Sequence, residues 1–164
     1  MTMKLSTAVV CFLLSIGLTL SCSKPKPMPT TMRSVYYWST TLNMDSVKTA
    51  FMRNYDISRM YIRYFDVVAD QSGRAVPNAT LKFATDVPQG IDIVPTVFVM
   101  PECLRQDRSR LASLIVKRVV QMNETNDVYN VKEIQIDCDW TQSTRQLYAE
   151  FMQAMMRECH SRHL

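Results

Sequence analysis

The chain has 164 residues, 47% of them hydrophobic and 21% charged, with a formal net charge of +4. That is an ordinary globular balance, and the positive charge is spread along the chain without a basic run or aromatic-basic interleaving, which argues against nucleic-acid binding. Only Gly73 and Gly90 follow Gly17, so a glycine-rich nucleotide fingerprint is excluded as well.

At the N-terminus, Lys4 precedes the apolar run "STAVVCFLLSIGLTL", which is too short for a comfortable membrane span. Ser21 then stands directly before Cys22. The pattern resembles a bacterial lipoprotein signal with a relaxed lipobox. That resemblance implies removal of residues 1–21 and acylation of Cys22 at its thiol and new amino group. An ordinary secretory signal cut nearby, or an uncleaved anchor, also fits the run. The following "SKPKPMPTT" is polar and proline-rich, the composition of a tether, and 22–33 is assigned to it. A lipid on Cys22 would hold the protein to a membrane of the bacterial cell envelope, at the outer membrane or cell surface.

What remains, 34–164, suffices for one domain. The aromatic and β-branched "SVYYW" (34–38) predicts a strand. A helix follows, with Met44, Val47, Ala50, Phe51 and Tyr55 near helical spacing behind an Asn43 cap. "RMYIRYFDVV" (59–68) predicts a second strand, with Met60, Ile62 and Tyr64 on one face and Tyr61, Arg63 and Phe65 on the other. The next stretch is rich in turn signals, and only "TLKFA" (80–84) reads as a short strand. "IDIVPTVFVM" (91–100) is continuous enough for a strand buried on both faces, with Pro95 best placed near an edge or an early position.

Asp107 caps a second helix whose stripe is Leu111, Leu114, Ile115, Val119 and Met122. "VKEIQIDCDW" (131–140) predicts the last strand, and a final helix carries Leu147, Phe151, Met155 and Cys159 on one stripe. Met152 and Met156 read as packing residues. Such alternation of strands and helices predicts an α/β fold with a mainly parallel four-stranded sheet. Cys11 leaves with the signal, and Cys103, Cys138 and Cys159 remain, without CxxC or zinc spacing. They are apolar core fillers, or two of them form one disulfide.

In parallel βα folds, sites gather at the carboxyl ends of the strands. Those ends carry Trp38, Arg63, Asp66, Asp137, Asp139 and Trp140. With Ile134, Ile136 and Cys138 toward the helices, Gln135, Asp137 and Asp139 face the other way. Carboxylates there need a partner, and Arg63 is the expected one. Asp137 and Asp139 are the candidate catalytic or sugar-binding acids, and Trp38 and Trp140 the candidate stacking residues, with core packing as their alternative role.

"VYYW", "MYIRYFDV", "IVPTVFV" and "VKEIQIDCDWT", taken together, resemble the N-terminal half of an uncharacterised bacterial lipoprotein family. That resemblance implies half of a glycoside-hydrolase-like (β/α)8 TIM barrel. "DCD" also resembles the DxDxE strand end of chitinase-type hydrolases, but Thr141 stands where the catalytic glutamate belongs and Glu133 is at the wrong end of the strand. Half a barrel leaves open edges. The chain is therefore expected to be truncated, or to associate with a second copy, or to rearrange into a compact open sandwich. Three functions remain open: a carbohydrate hydrolase, a non-catalytic binder of glycan or a partner protein, and a fragment without activity of its own. No cofactor is implied, nor a metal: Asp137 and Asp139 lack a third ligand. No serine motif supports Ser–His–Asp catalysis.

Overall fold

The computed structural model describes residues 32–162 and Leu164. The expected signal peptide, Cys22 and most of the tether lie outside the described residues. The tether's expected last residue does not, since Arg33 already opens the first strand. Its guanidinium donates to Tyr55 O (2.9 Å) and pairs with Asp56 (3.1 Å).

The elements in chain order are β1 (Arg33–Tyr37), β2 (Thr41–Leu42), α1 (Ser46–Asn54), β3 (Ile57–Ala69), β4 (Ala75–Asn78), β5 (Lys82–Phe83) and β6 (Asp92–Val99). A 3-10 turn (Pro101–Arg105), α2 (Arg108–Thr125), β7 (Gln135–Asp137) and α3 (Arg145–Ser161) complete them. Four parallel strands follow one another across the sheet as β1-β3-β6-β7, and β4 folds back antiparallel on the end of β3. β2 and β5 pair separately, in parallel. Among the described residues, the result is mixed α/β with a mainly parallel sheet and three helices.

One core holds these parts together, and it lies on one side of the sheet. Met60, Ile62, Val97 and Val99 meet Met52 of α1, Ile115 and Val119 of α2, and Phe151 and Met155 of α3 in a single cluster. All three helices therefore cover the same face. The compact unit Met32–Leu164 contains this whole cluster. Among the described residues, no helix is long and apolar enough to cross a membrane.

α2 matches its expectation closely. Asp107 accepts from Ser109 N (3.0 Å) and Arg110 N (3.1 Å), and Leu111, Ile115, Val119 and Met122 are buried. Leu114 is the exception: it faces solvent, because Ala112 and Val116 complete the buried sector instead. α1 departs further. Its cap is Asp45, which accepts from Lys48 N (2.9 Å), and not Asn43. Met52 is its one buried residue, while the expected apolar stripe Val47, Phe51 and Tyr55 faces outward. The i, i+4 spacing of that stripe is compatible with a helix, but the partners Met44 and Met52 decide which side is buried.

β3 holds the main irregularity. Its register with β6 runs Arg63↔Thr96 and then Phe65↔Val97, so Tyr64 is an extra residue. Tyr64 O accepts from Leu81 N (2.7 Å), its hydroxyl donates to the buried Asn123 (2.8 Å), and Phe65 lies under Arg118 of α2. Tyr64 and Phe65 thus both turn to the covered face, correcting the placement of Phe65 beside Tyr61 and Arg63. Burial drives the Tyr64 hydroxyl pKa upward.

The segment after β3 contains a hairpin that composition alone does not announce. Asp70 Oδ1 accepts from Ser72 N (2.8 Å) and Arg74 N (2.9 Å), and Gly73 takes φ +79°. These bonds, with that from the Ser72 hydroxyl foremost, hold the Asp70 carboxyl at about 2. Pro95 is buried in an interior strand, one residue before the β6–β7 ladder begins at Thr96. β7 is only three residues of the ten expected. Cys103, Cys138 and Cys159 are free thiols, so no disulfide forms among them.

Candidate functional site

Side chains alternate across a strand, so the register assigns each to a face. On the side without helices, the rows are Tyr36, Tyr61 and Val94, then Arg63, Thr96 and Gln135, then Asp66, Phe98 and Asp137. Neither Val94 nor Phe98 belongs to the core cluster, although Val94 is buried. Ile134, Ile136 and Cys138 pack on the core, on the covered face.

This helix-free face is concave. β1 and β7 are the outermost of four strands, about 14 Å apart in a flat sheet. Tyr36 Oη nevertheless donates to Gln135 Oε1 at 3.0 Å. Side chains standing on strands that far apart meet only if the sheet bends toward them. Toward the amino ends of the strands, Arg59 is held by Glu133 (2.8 Å) and Asp92 (3.7 Å). Hydrogen bonding with Tyr61, together with these two carboxylates, raises the Arg59 pKa.

Aromatic rings form a ladder on the same face. Tyr61 stacks on Tyr36 at 4.7 Å and 19°, and Tyr36 on Trp38 at 5.9 Å and 8°. Tyr36 and Trp38 are 51% and 47% exposed, so the ladder is open to solvent. The Arg63 guanidinium lies 6.0 Å from the Trp38 ring centre. Such a contact contributes about 0.5–1 kcal/mol at an exposed site.

Arg63 does not pair with Asp137 or Asp139, as the sequence led us to expect. Its Nε donates to Asp66 Oδ1 at 2.8 Å and a terminal N–H to Asp66 Oδ2. This fork raises the Arg63 pKa. Residues three apart in a regular strand face opposite ways, and the extra residue Tyr64 brings these two to one side. Among the described residues, Asp137 and Asp139 make no ion pair. The Thr96 hydroxyl, buried in the row of Arg63 and Gln135, has no hydrogen-bond partner among the described residues.

The expected residues separate into two groups. Trp38, Arg63, Asp66 and Asp137 lie on the concave face, whereas Asp139 is exposed beyond the end of β7. Trp140 stacks on Tyr148 of α3, at 6.0 Å and 16°, away from Trp38. A tight turn, in which Trp140 N donates to Cys138 O (2.9 Å), ends the alternation that would have carried Trp140 onward. Burial, with the nearby Asp139 charge, pushes the Cys138 thiol up to about 11. No cluster suited to a metal ion occurs among the described residues.

Sequence reading missed Tyr36, Tyr61, Thr96 and Gln135 as members of the site. For Tyr36 the signal was available: it stands two residues before Trp38 and therefore on the same side. The arrangement offers a flat aromatic surface, an oriented guanidinium–carboxylate pair and, in Asp137, a carboxylate without an ion pair among the described residues. Comparisons of the chain with protein-family models, curated proteins and solved structures return no match.

Proposed function

We propose that this protein is a lipid-anchored domain of the bacterial cell envelope that binds carbohydrate without hydrolysing it. In this reading the four parallel strands correspond to half of a (β/α)8 barrel, and the ligand lies at their carboxyl ends on the concave face. The observation that carries it is the open Tyr36–Trp38 pair beside the Arg63–Asp66 fork. Sugar rings present an apolar C–H face to aromatic rings and hydroxyls to oriented polar groups, and this surface has both.

Hydrolysis by Asp137 and Asp139 is the less favoured reading. Asp139 lies beyond the strand, and both Asp66 oxygens already accept from Arg63. Thr141, at the position of the missing glutamate, shares hydrogen bonds with Ser143 (2.9 Å) and Thr144 (2.9 Å) in the turn before α3. A proton donor for the leaving sugar oxygen is not supplied from this strand.

A glycan-array screen followed by calorimetry on the wild type and Trp38→Ala tests the binding reading. Affinity should fall about tenfold or more in the variant, the equivalent of roughly 1.4 kcal/mol, with little change in melting temperature. Binding indifferent to Trp38, or no glycan bound at all, would sink it. The anchor is tested separately: labelled palmitate should enter the full chain and be lost in Cys22→Ala.

A further inference from the structure

Both edges of the main sheet are open, since β1 pairs only with β3 and β7 only with β6 along the parallel path. The two edges differ in shape. Beside β1, Val47 and Phe51 of α1 and Tyr55 at its C-terminal cap form a ridge, 76%, 49% and 56% exposed, with Phe51 and Tyr55 packed at 4.6 Å. Beside β7, a cleft of about 220 Å³ opens along α3, lined by Ile134, Ile136, Met152, Met155, Met156 and Cys159 among others. One edge is an aromatic ridge and the other a methionine-rich hollow, the side chains that adapt best to a foreign surface.

We infer that two copies of this chain associate edge to edge about a twofold axis parallel to the strands. The β1–α1 edge of each copy seats on the β7–α3 edge of the other. Every strand of the β1-β3-β6-β7 path runs the same way, so this axis adds β1 of one copy to β7 of the other as a parallel neighbour. Both open edges are then covered at once. A twofold axis perpendicular to the strands would join β1 to β1, setting ridge against ridge and leaving the hollow empty.

The helix layers agree with the strand pairing. Val35 and Tyr37 of β1, Ile136 of β7 and Ile134 just before it all pack toward the covered side. Edge addition therefore extends one apolar layer into the next copy's layer and brings α1 beside the partner's α3. It also turns the two concave faces toward each other, with Trp38, Asp66 and Asp137 at the carboxyl-end mouth of the closed sheet. The inference uses the half-barrel reading of the fold and is independent of whether a glycan binds.

Met32–Leu164 contains the whole described core and can be studied by itself. Light scattering after size exclusion should give a dimer for this segment and, for Phe51→Glu and Met156→Lys alone, dissociation constants raised at least tenfold. Both positions are about half exposed, so each variant should keep the wild-type circular dichroism spectrum. Mixing the two variants is the decisive arm. One of the two contacts then carries Glu opposite Lys and the other carries the native pair, so a heterodimer should form. A monomeric wild type, or a dimer that ignores Met156→Lys, would overturn the inference. So would a monomer that sediments with anionic lipid vesicles through Phe51, since the ridge would then belong to a bilayer. Trp38→Ala should leave the dimer intact, which keeps this outcome separate from the glycan test.

Discussion

On one side of the sheet, Met60, Ile62, Val97 and Val99 meet three helices and no water. On the other, Tyr36 meets Gln135, Arg63 meets Asp66, and Asp137 has no ion pair among the described residues. The same strands supply both sets, one residue apart. On the covered side the residues need only be apolar and fit in volume, because non-directional burial stabilises them. On the bare side each polar group needs a particular partner, such as Asp66 for Arg63 or Gln135 for Tyr36. The covered side therefore specifies the fold, and the bare side is where chemistry is affordable.

Substitutions should sort along that division. The largest effect belongs to Phe151→Ala, which empties a fully buried ring site beneath the sheet. Urea unfolding should show a loss of about 3–5 kcal/mol. A loss below about 1 kcal/mol would mean that the covered side is not a packed core.

Tyr64→Phe tests a polar contact buried on that side. It removes the donor to Asn123 Oδ1 and should cost about 1–3 kcal/mol by the same measurement. On the bare side, Asp66→Asn leaves the Arg63 guanidinium facing a neutral amide at a largely buried position, and about 1–3 kcal/mol is expected. An Asp66 effect larger than that of Phe151 would reverse the assignment of the two faces.

Cys138 reports coverage chemically. With its thiol raised to about 11 from an ordinary 9.0, the thiolate fraction at pH 8 is about a hundredfold lower than for a free cysteine. Alkylation of the native protein should be slow at pH 8 and accelerate toward pH 11. Because the folded state favours the protonated thiol, its contribution to stability is present below pH 9 and declines as pH rises through about 11. Fast alkylation at pH 8 would mean that this end of the sheet opens. The smallest effect is expected of Asp139→Asn, a change beyond β7 with no ion pair among the described residues to lose. Its thermal melt should lie within about 0.5 kcal/mol of wild type.

The sequence carried the covered side well and the bare side poorly. Apolar periodicity and the Asp107 cap specify α2 almost to the residue, since burial depends on a pattern that a single chain displays. α1 shows the limit of that logic: Val47, Phe51 and Tyr55 have the same spacing, yet face away from the core. Arg63, Asp66 and Asp137 were legible as polar residues near strand ends. Their pairing was not, because one extra residue, Tyr64, changes which neighbours share a side. The Tyr36–Gln135 contact joins residues 99 apart, and no local pattern announces such a distance.

That extra residue gives β3 two reading phases. Before Tyr64 the odd-numbered positions Arg59, Tyr61 and Arg63 look onto the concave side, and after it the even-numbered Asp66 does. A deletion here is therefore not equivalent to a substitution. Removing Tyr64 would close the bulge and merge the phases into one alternation, with Arg63 still opposite Thr96, Phe65 opposite Val97 and Asp66 opposite Phe98, so each keeps its side and only the Tyr64 contact with Asn123 is lost. If one residue is ever lost from this strand, the acidic partner of Arg63 should move with it, to the second position after the arginine.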